Sequence, residues 1–194
     1  MPENSEETRV IIAEIMTLVV SSTDWVCLRP YIDQFVAIFR ALCMDPAGVV
    51  IVEGTLGMAA FARAGQNQLL HFCENMGRAL FTAMVHKHAK VRIAGLKALF
   101  DVMVCGQWKT SVEVLHHMVG FRDPNIVPIR EFYDPQSKVN YFAMFVMDRS
   151  TVVRECFYKT IGDMLMRLPD KCDHEGRLFP YMISGLFDQN DGIQ

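Results

Sequence analysis

The chain has 194 residues, 51% of them hydrophobic and 21% charged, with a formal net charge of −3. This is apolar material enough for a large core, which excludes a disordered tail, and the slightly acidic sum leaves no basic footprint for nucleic acid. Thirteen Met and thirteen Phe against two Trp suit irregular helix–helix packing, where flexible Met fills gaps.

Taken in order, Ser5 opens a helix over residues 6–20 with acids in its first turn and apolar residues nearly all round (Val10, Ile11, Ile12, Ile15, Met16, Leu18, Val19). A helix of that composition is expected to be covered on more than one side. After the polar loop Ser21–Asp24, Leu28–Met44, with Pro30 at its start, reads as the first helix of a unit spanning about 28–63, and Val49–Arg63 as its partner. Gln68–Val85 and Lys90–Cys105 form the next unit, about 68–105, joined by the polar turn His86–Ala89. Within Val91–Gly106 an apolar stripe of Val91, Gly95, Ala98, Leu99, Val102 and Cys105 recurs at helical spacing, and Lys97–Asp101 is placed as a surface pair four residues apart.

Residues 106–136 then break the pattern. Thr110–Val119 reads as an extra helix, and Pro124, Pro128 and Pro135 exclude a regular helix over Phe121–Gln136. A further unit covers 137–168 (Ser137–Met147 and Thr151–Leu168), with Lys159–Asp163 and Asp163–Arg167 on an exposed face. A partial unit, 176–194, begins with Gly176–Phe187.

Each second helix is entered through a short polar turn onto Val or Ile. These landmarks are Val10, Val50, Val91, Val153 and Ile193, in steps of 40, 41, 62 and 40 residues, with Gly54 standing where Gly95 stands. A two-helix unit recurring about every 40 residues is the mark of a HEAT/armadillo-like α–α superhelix, and the step of 62 is one unit carrying roughly 20 extra residues. The expectation is an all-α solenoid over 1–194, a fragment of a longer array, because its first and last helices lack polar caps.

Chemistry is sparse. Six cysteines (Cys27, Cys43, Cys73, Cys105, Cys156, Cys172) never form Cys-x-x-Cys and mostly lie in apolar helical runs, which points to reduced thiols rather than disulfides or zinc. His86 and His88, with His116, His117 and Cys105, lack the convergent spacing of a structural metal site. Cys172-x-His174 lies in a loop with no sign of a nucleophile geometry. No phosphate-binding Gly-rich loop follows a strand, and the basic group Lys87, Lys90, Arg92, Lys97 has no interleaved aromatics for stacking on bases. No catalytic residue, cofactor, metal or small-molecule substrate is therefore expected, and nucleic acid and membrane are not expected as partners. Met1–Arg9 is acidic rather than signal-like, and no uninterrupted apolar stretch is long enough to span a bilayer, so a soluble, intracellular protein is expected. Two groups remain. Arg92 and Arg154, at one point of their units, are assigned to structural pairing with acids or carbonyls of a neighbouring turn. In the insertion, Arg122, Asp123, Asn125, Arg130, Glu131 and Asp134 alternate with Phe121, Ile126, Phe132 and Tyr133 as an ordered protein-interaction loop, or equally as a spacer that bends the superhelix.

Three runs carry a more specific likeness. Asn140–Arg154 (NYFAMFVMDRSTVVR), Ile161–Leu168 (IGDMLMRL) and Asp170–Asp188 (DKCDHEGRLFPYMISGLFD) resemble the HEAT-repeat axonemal dynein assembly factors of ciliated cells, most clearly over the last third of the chain. The resemblance implies a cytoplasmic, non-catalytic scaffold for preassembly of dynein arms, acting with dynein chains, chaperones and other assembly factors. It supplies no catalytic residues. Its Val-Arg turn maps onto Val91-Arg92 and Val153-Arg154, and Val50-Ile51 and Ile193-Gln194 depart from it by lacking the arginine. A generic HEAT scaffold in nuclear transport, phosphatase or chromosome machinery is the alternative.

Overall fold

The computed structural model describes residues 5–106, 140–169 and 171–194, and every regular element within them is helical. In chain order these are α1 (Glu6–Ser22), α2 (Trp25–Leu28), α3 (Ile32–Cys43), α4 (Gly48–Gly65), α5 (Cys73–Met84), α6 (Ala89–Val104), α7 (Tyr141–Val146), α8 (Thr151–Arg167) and α9 (Glu175–Ser184). Short 3-10 stretches lie at Arg29–Tyr31, Gln66–Phe72, Lys171–Asp173 and Gly185–Phe187. The second helices α1, α4, α6 and α8 pack one on the next as a layer. The first helices α3 and α5 lie against α4 and α6, and α7 and α9 both touch α8. The fold is an all-α helical repeat.

Local chemistry sets the boundaries. The Ser5 side chain accepts the Thr8 N–H and Asp24 accepts that of Val26, so α1 and α2 both start on a capped turn. Pro30 sits at the start of a 3-10 turn, where its missing N–H costs nothing, and this turn separates α2, which ends at Leu28, from α3, so the expected helix 28–44 is regular only over Ile32–Cys43. The expected helix 68–85 is shortened in the same way: α4 stops at Gly65, Gln66 takes φ 44°, and a 3-10 stretch leads into α5. This break divides the helical run Gly48–Met84, which is long and apolar enough by composition to cross a membrane. Its most apolar window is 61% buried within the protein, as a core helix would be. Buried Asn140 caps α7 by accepting the Ala143 N–H and donates to the Tyr181 hydroxyl at 2.8 Å. The expected helix Thr110–Val119 and the proline-rich stretch after it lie outside the described residues.

Gly54 and Gly95 lie where each hairpin's helices approach most closely. A Cβ on Gly54 would fall 2.6 Å from Leu42 Cβ, and one on Gly95 3.0 Å from Ala83 Cβ. The same position in α8 is Phe157, fully buried between Phe142 and Phe145, so that unit is held apart by aromatic rings instead. At the other end Trp25, Phe35, Phe39 and Phe61 form a second aromatic cluster.

Val50, Val91 and Val153 are buried, and Val10 and Ile193 pack half-buried on the core. In α1, however, the register is two residues earlier than the valine suggests. Val50, Val91 and Val153 each stand three residues after their helix cap, and after Ser5 that position is Thr8. Helix α1 is covered on one side only. Ala13 and Val20 face inward, whereas Ile11, Ile15 and Leu18 are exposed.

All six cysteines of the chain are free thiols. Burial pushes the Cys105 thiol up to about 12, so it remains a donor, and it bonds the Ala62 carbonyl at 3.0 Å. Cys73 donates to Val102 O at 3.2 Å, so two thiols fasten α6 to α4 and α5. Cys27 and Cys172 are exposed.

Leu99 is fully buried in the stripe of α6. Leu99→Asp places an unpaired charge there and is expected to cost on the order of 4 kcal/mol, visible as loss of cooperative melting by circular dichroism. An unchanged melt would place the core face of α6 elsewhere.

Candidate functional site

The most ordered polar feature is a series of arginine–aspartate pairs linking consecutive turns. In each case an arginine four residues after the cap of one second helix reaches the aspartate two residues before the cap of the next. Arg9 donates from Nε to Asp45 Oδ2 at 2.7 Å and from Nη2 to Oδ1 at 3.1 Å. Arg92 meets Asp148 through the same two nitrogens at 2.7 Å each, and Arg154 meets Asp188 at 2.7 and 2.9 Å. The third nitrogen turns back. Nη1 of Arg92 donates to the His86 and Lys87 carbonyls, and Nη1 of Arg154 to the Asp148 carbonyl. Each aspartate also accepts a backbone N–H two residues on, from Ala47, Ser150 and Asn190, which shapes its own turn. One arginine thus closes its own turn and holds the next.

These pairs are largely dry. Side-chain exposure is 12% and 8% for Arg92 and Asp148, and 14% and 4% for Arg154 and Asp188. The guanidinium hydrogen bonds hold the Asp188 carboxyl below the usual aspartate range against the opposing effect of burial, and raise Arg154 correspondingly.

One rung is built differently. The arginine position of α4 is Ile51, and the aspartate position before α6 is His86, so both partners are replaced together. Ile51 is 1% exposed and packs with Val52, Ala83 and Val91. His86 keeps the turn-forming part of the aspartate role: its Nδ1 accepts the His88 N–H at 3.1 Å. Desolvation, then the nearby His88, Lys87 and Arg92, lowers its pKa, which preserves the neutral ring that this acceptor needs. At the end of the chain Gln194 stands in the arginine position and makes the turn-closing bond alone, to the Asp188 carbonyl at 2.7 Å.

A second polar arrangement lies on the face of α4, α6 and α8. A groove of about 310 Å³ runs between Leu56, Arg63, Lys97, Asp101, Asp163 and Arg167. Asp101 pairs with Arg63 of the neighbouring helix in the same layer, not with Lys97 on its own helix. Burial raises the Asp101 pKa, and Arg63 and Arg167 oppose that rise. Arg167 lies over the Phe100 ring, 4.9 Å from its centroid, and neither Lys159–Asp163 nor Asp163–Arg167 is among the ion pairs of the described residues.

Of the residues singled out by sequence, Arg92 and Arg154 stand in the ladder. Arg122, Asp123, Asn125, Arg130, Glu131 and Asp134 lie outside the described residues. The rings of His86 and His88 are 5.2 Å apart, His174 is buried at the start of α9, and Cys172 is exposed. Among the described residues no group of three or more His, Cys, Asp or Glu side chains converges as metal ligands would. Sequence reasoning missed Arg9 and the three aspartates, although Asp148 and Arg154 repeat the six-residue offset of Asp188 and Gln194.

Comparison with known proteins accords with this architecture. A family model described as "Dynein axonemal assembly factor 5-like, TPR repeats" matches residues 1–121. The chain belongs to this family. The family description names tetratricopeptide repeats, whose period is about 34 residues, whereas the units here recur at about 40. The matched region is the first part of the chain, not the last third where the likeness reads most clearly by eye. Curated relatives extend the match over nearly all of it. "Dynein axonemal assembly factor 5" of Mus musculus is 27% identical over 193 residues, that of Xenopus laevis 26% over 190 and that of Homo sapiens 26% over 188. These matches cover 100%, 96% and 97% of the chain, which spans only about a fifth of each relative. No solved structure matches significantly.

The ladder yields two tests. Arg154→Ala removes the bidentate partner of Asp188, opens its carboxylate to water with only backbone donors left, and should cost about 1–2 kcal/mol. Because the native Asp188 pKa is depressed, its contribution is full above the ordinary aspartate value of about 3.9 and is lost as pH falls through the lower native value. Thermal melts across that acidic range should therefore fall less steeply for the variant than for the wild type. The second test rebuilds the missing rung. Ile51→Arg alone should destabilise, and adding His86→Asp should recover a coupling of about 1–3 kcal/mol in a double-mutant cycle. Additive effects would show that positions 51 and 86 do not form a rung.

Proposed function

We propose that this chain is a section of a non-catalytic protein-binding scaffold that acts in the cytoplasm to preassemble axonemal dynein arms. On this reading its partners are dynein chains, chaperones and other assembly factors, and the insertion residues Arg122, Asp123, Asn125, Arg130, Glu131 and Asp134 belong to a contact segment. The observation that carries the proposal is the match of nearly the whole chain to relatives named for dynein assembly. The architecture supports it as well. A stack in which each unit is fastened to the next presents a long, stiff surface, and helical solenoids use such surfaces to hold other proteins.

The test is affinity capture from ciliated-cell cytosol with the tagged chain as bait. Dynein heavy chains and chaperones should be enriched over a bait carrying Leu99→Asp. Recovery of nuclear-transport or phosphatase subunits in their place would overturn the assignment.

A further inference from the structure

The residue immediately before the ladder aspartate, or before His86 in its place, is large, apolar and exposed in every described turn. These residues are Met44, Val85, Met147 and Phe187, with exposures of 58%, 48%, 83% and 84%. Single exposed apolar side chains are ordinary, but four at one register position form a row along one edge of the stack. The ladder holds Val85, Met147 and Phe187 in line through Arg92–Asp148 and Arg154–Asp188, and the step from Met44 to Val85 rests on the apolar packing of Ile51.

Between these turns lie two adjoining grooves. One, of about 360 Å³, is lined by Val85, Lys87, Arg92, Met147, Asp148 and Arg149. The other, of about 400 Å³, is lined by Met147, Arg149, Arg154, Phe187 and Asp188, so the two share Met147, Asp148 and Arg149. Their charge is not balanced. Asp148 and Asp188 are each committed to a bidentate arginine, while Lys87 and Arg149 are exposed and join none of the ion pairs among the described residues. A ligand of this edge therefore meets apolar contacts at regular intervals and uncompensated positive charge between them.

The spacing restricts the ligand further. Packed helices stand about 8–10 Å apart, which sets the distance from one turn to the next. A polyproline II segment advances about 3.1 Å per residue with three residues per turn, so every third side chain returns to the same face after about 9 Å. We infer that this turn edge binds an acidic polyproline II segment of a partner protein that presents an apolar side chain at every third position. This rests on the scaffold reading and specifies where and how one partner is held.

The probe is a fluorescein-labelled peptide of about four Leu-Pro-Glu repeats, titrated by anisotropy against the whole chain. Saturable binding is expected, about tenfold weaker for the Met147→Ser/Phe187→Ser pair and for the Lys87→Glu/Arg149→Glu pair, at an unchanged melting temperature. A Leu-Pro-Lys peptide should bind at least about tenfold more weakly than the Leu-Pro-Glu one. No saturable binding, indifference to both variant pairs, equal binding of the basic peptide, or tighter binding of a helical peptide with Leu at every seventh residue would overturn the inference. Cytosolic capture with the Met147→Ser/Phe187→Ser chain separates the two readings. If dynein chains are still recovered in full, the edge proposal fails and the scaffold reading stands.

Discussion

The structure depends on a guanidinium that serves two turns at once. Arg92 and Arg154 close the turns they follow through Nη1 and grip the next aspartate through Nε and Nη2. A planar fork presents two parallel donors to one carboxylate and a third in another direction, whereas an ammonium cannot make the bidentate pair. Because the pairs are mostly removed from water, their geometry is demanding: a turn displaced by an ångström or so would leave a buried charge unmatched. The ladder therefore acts as a gauge that fixes how far each unit is shifted against the next.

The rung at positions 51 and 86 shows what such a pair contributes and what it does not. Replacing a buried ion pair by apolar side chains is often neutral for stability, and here Ile51, Val52, Ala83 and Val91 fill the space. The turn still needs an acceptor for its N–H, and a neutral imidazole supplies it. Stability and turn shape are thus separable duties of the aspartate, and only the second is retained at this step. At the far end of the same helices the Cys105 and Cys73 thiols bond carbonyls across to a neighbour, so the unit that lacks a charged rung is tied by other polar contacts.

The same gauge has a consequence for recognition. Turns locked in register carry the residues that flank the ladder positions into a row, which accounts for the aligned Val85, Met147 and Phe187 and for the unbalanced Lys87 and Arg149. A different kind of surface lies on α4, α6 and α8, where Asp101 and Asp163 stand among Arg63, Lys97 and Arg167 and offset most of their charge. The family match, to a model whose description names helical repeats, accords with a stack of this kind.

Periodicity alone determined that the chain is a stack of helical hairpins: apolar spacing marks each helix, and polar turns at a 40-residue stride mark each unit. It also located Gly54 and Gly95 at equivalent points, because a missing side chain is visible in any register. The partners of the arginines were not legible. Arg92 and Asp148 are 56 residues apart, with the insertion between them, and local spacing favoured Lys97–Asp101 over the pair that Asp101 makes with Arg63. The start of α1 at Ser5 and Glu6 was legible, but its repeat landmark falls at Thr8 rather than at the apolar Val10, because the register follows the Ser5 cap and Arg9. A linear pattern encodes which face of a helix is buried. Which charges meet depends on how the buried faces are shifted against one another, and packing decides that only after the units have stacked.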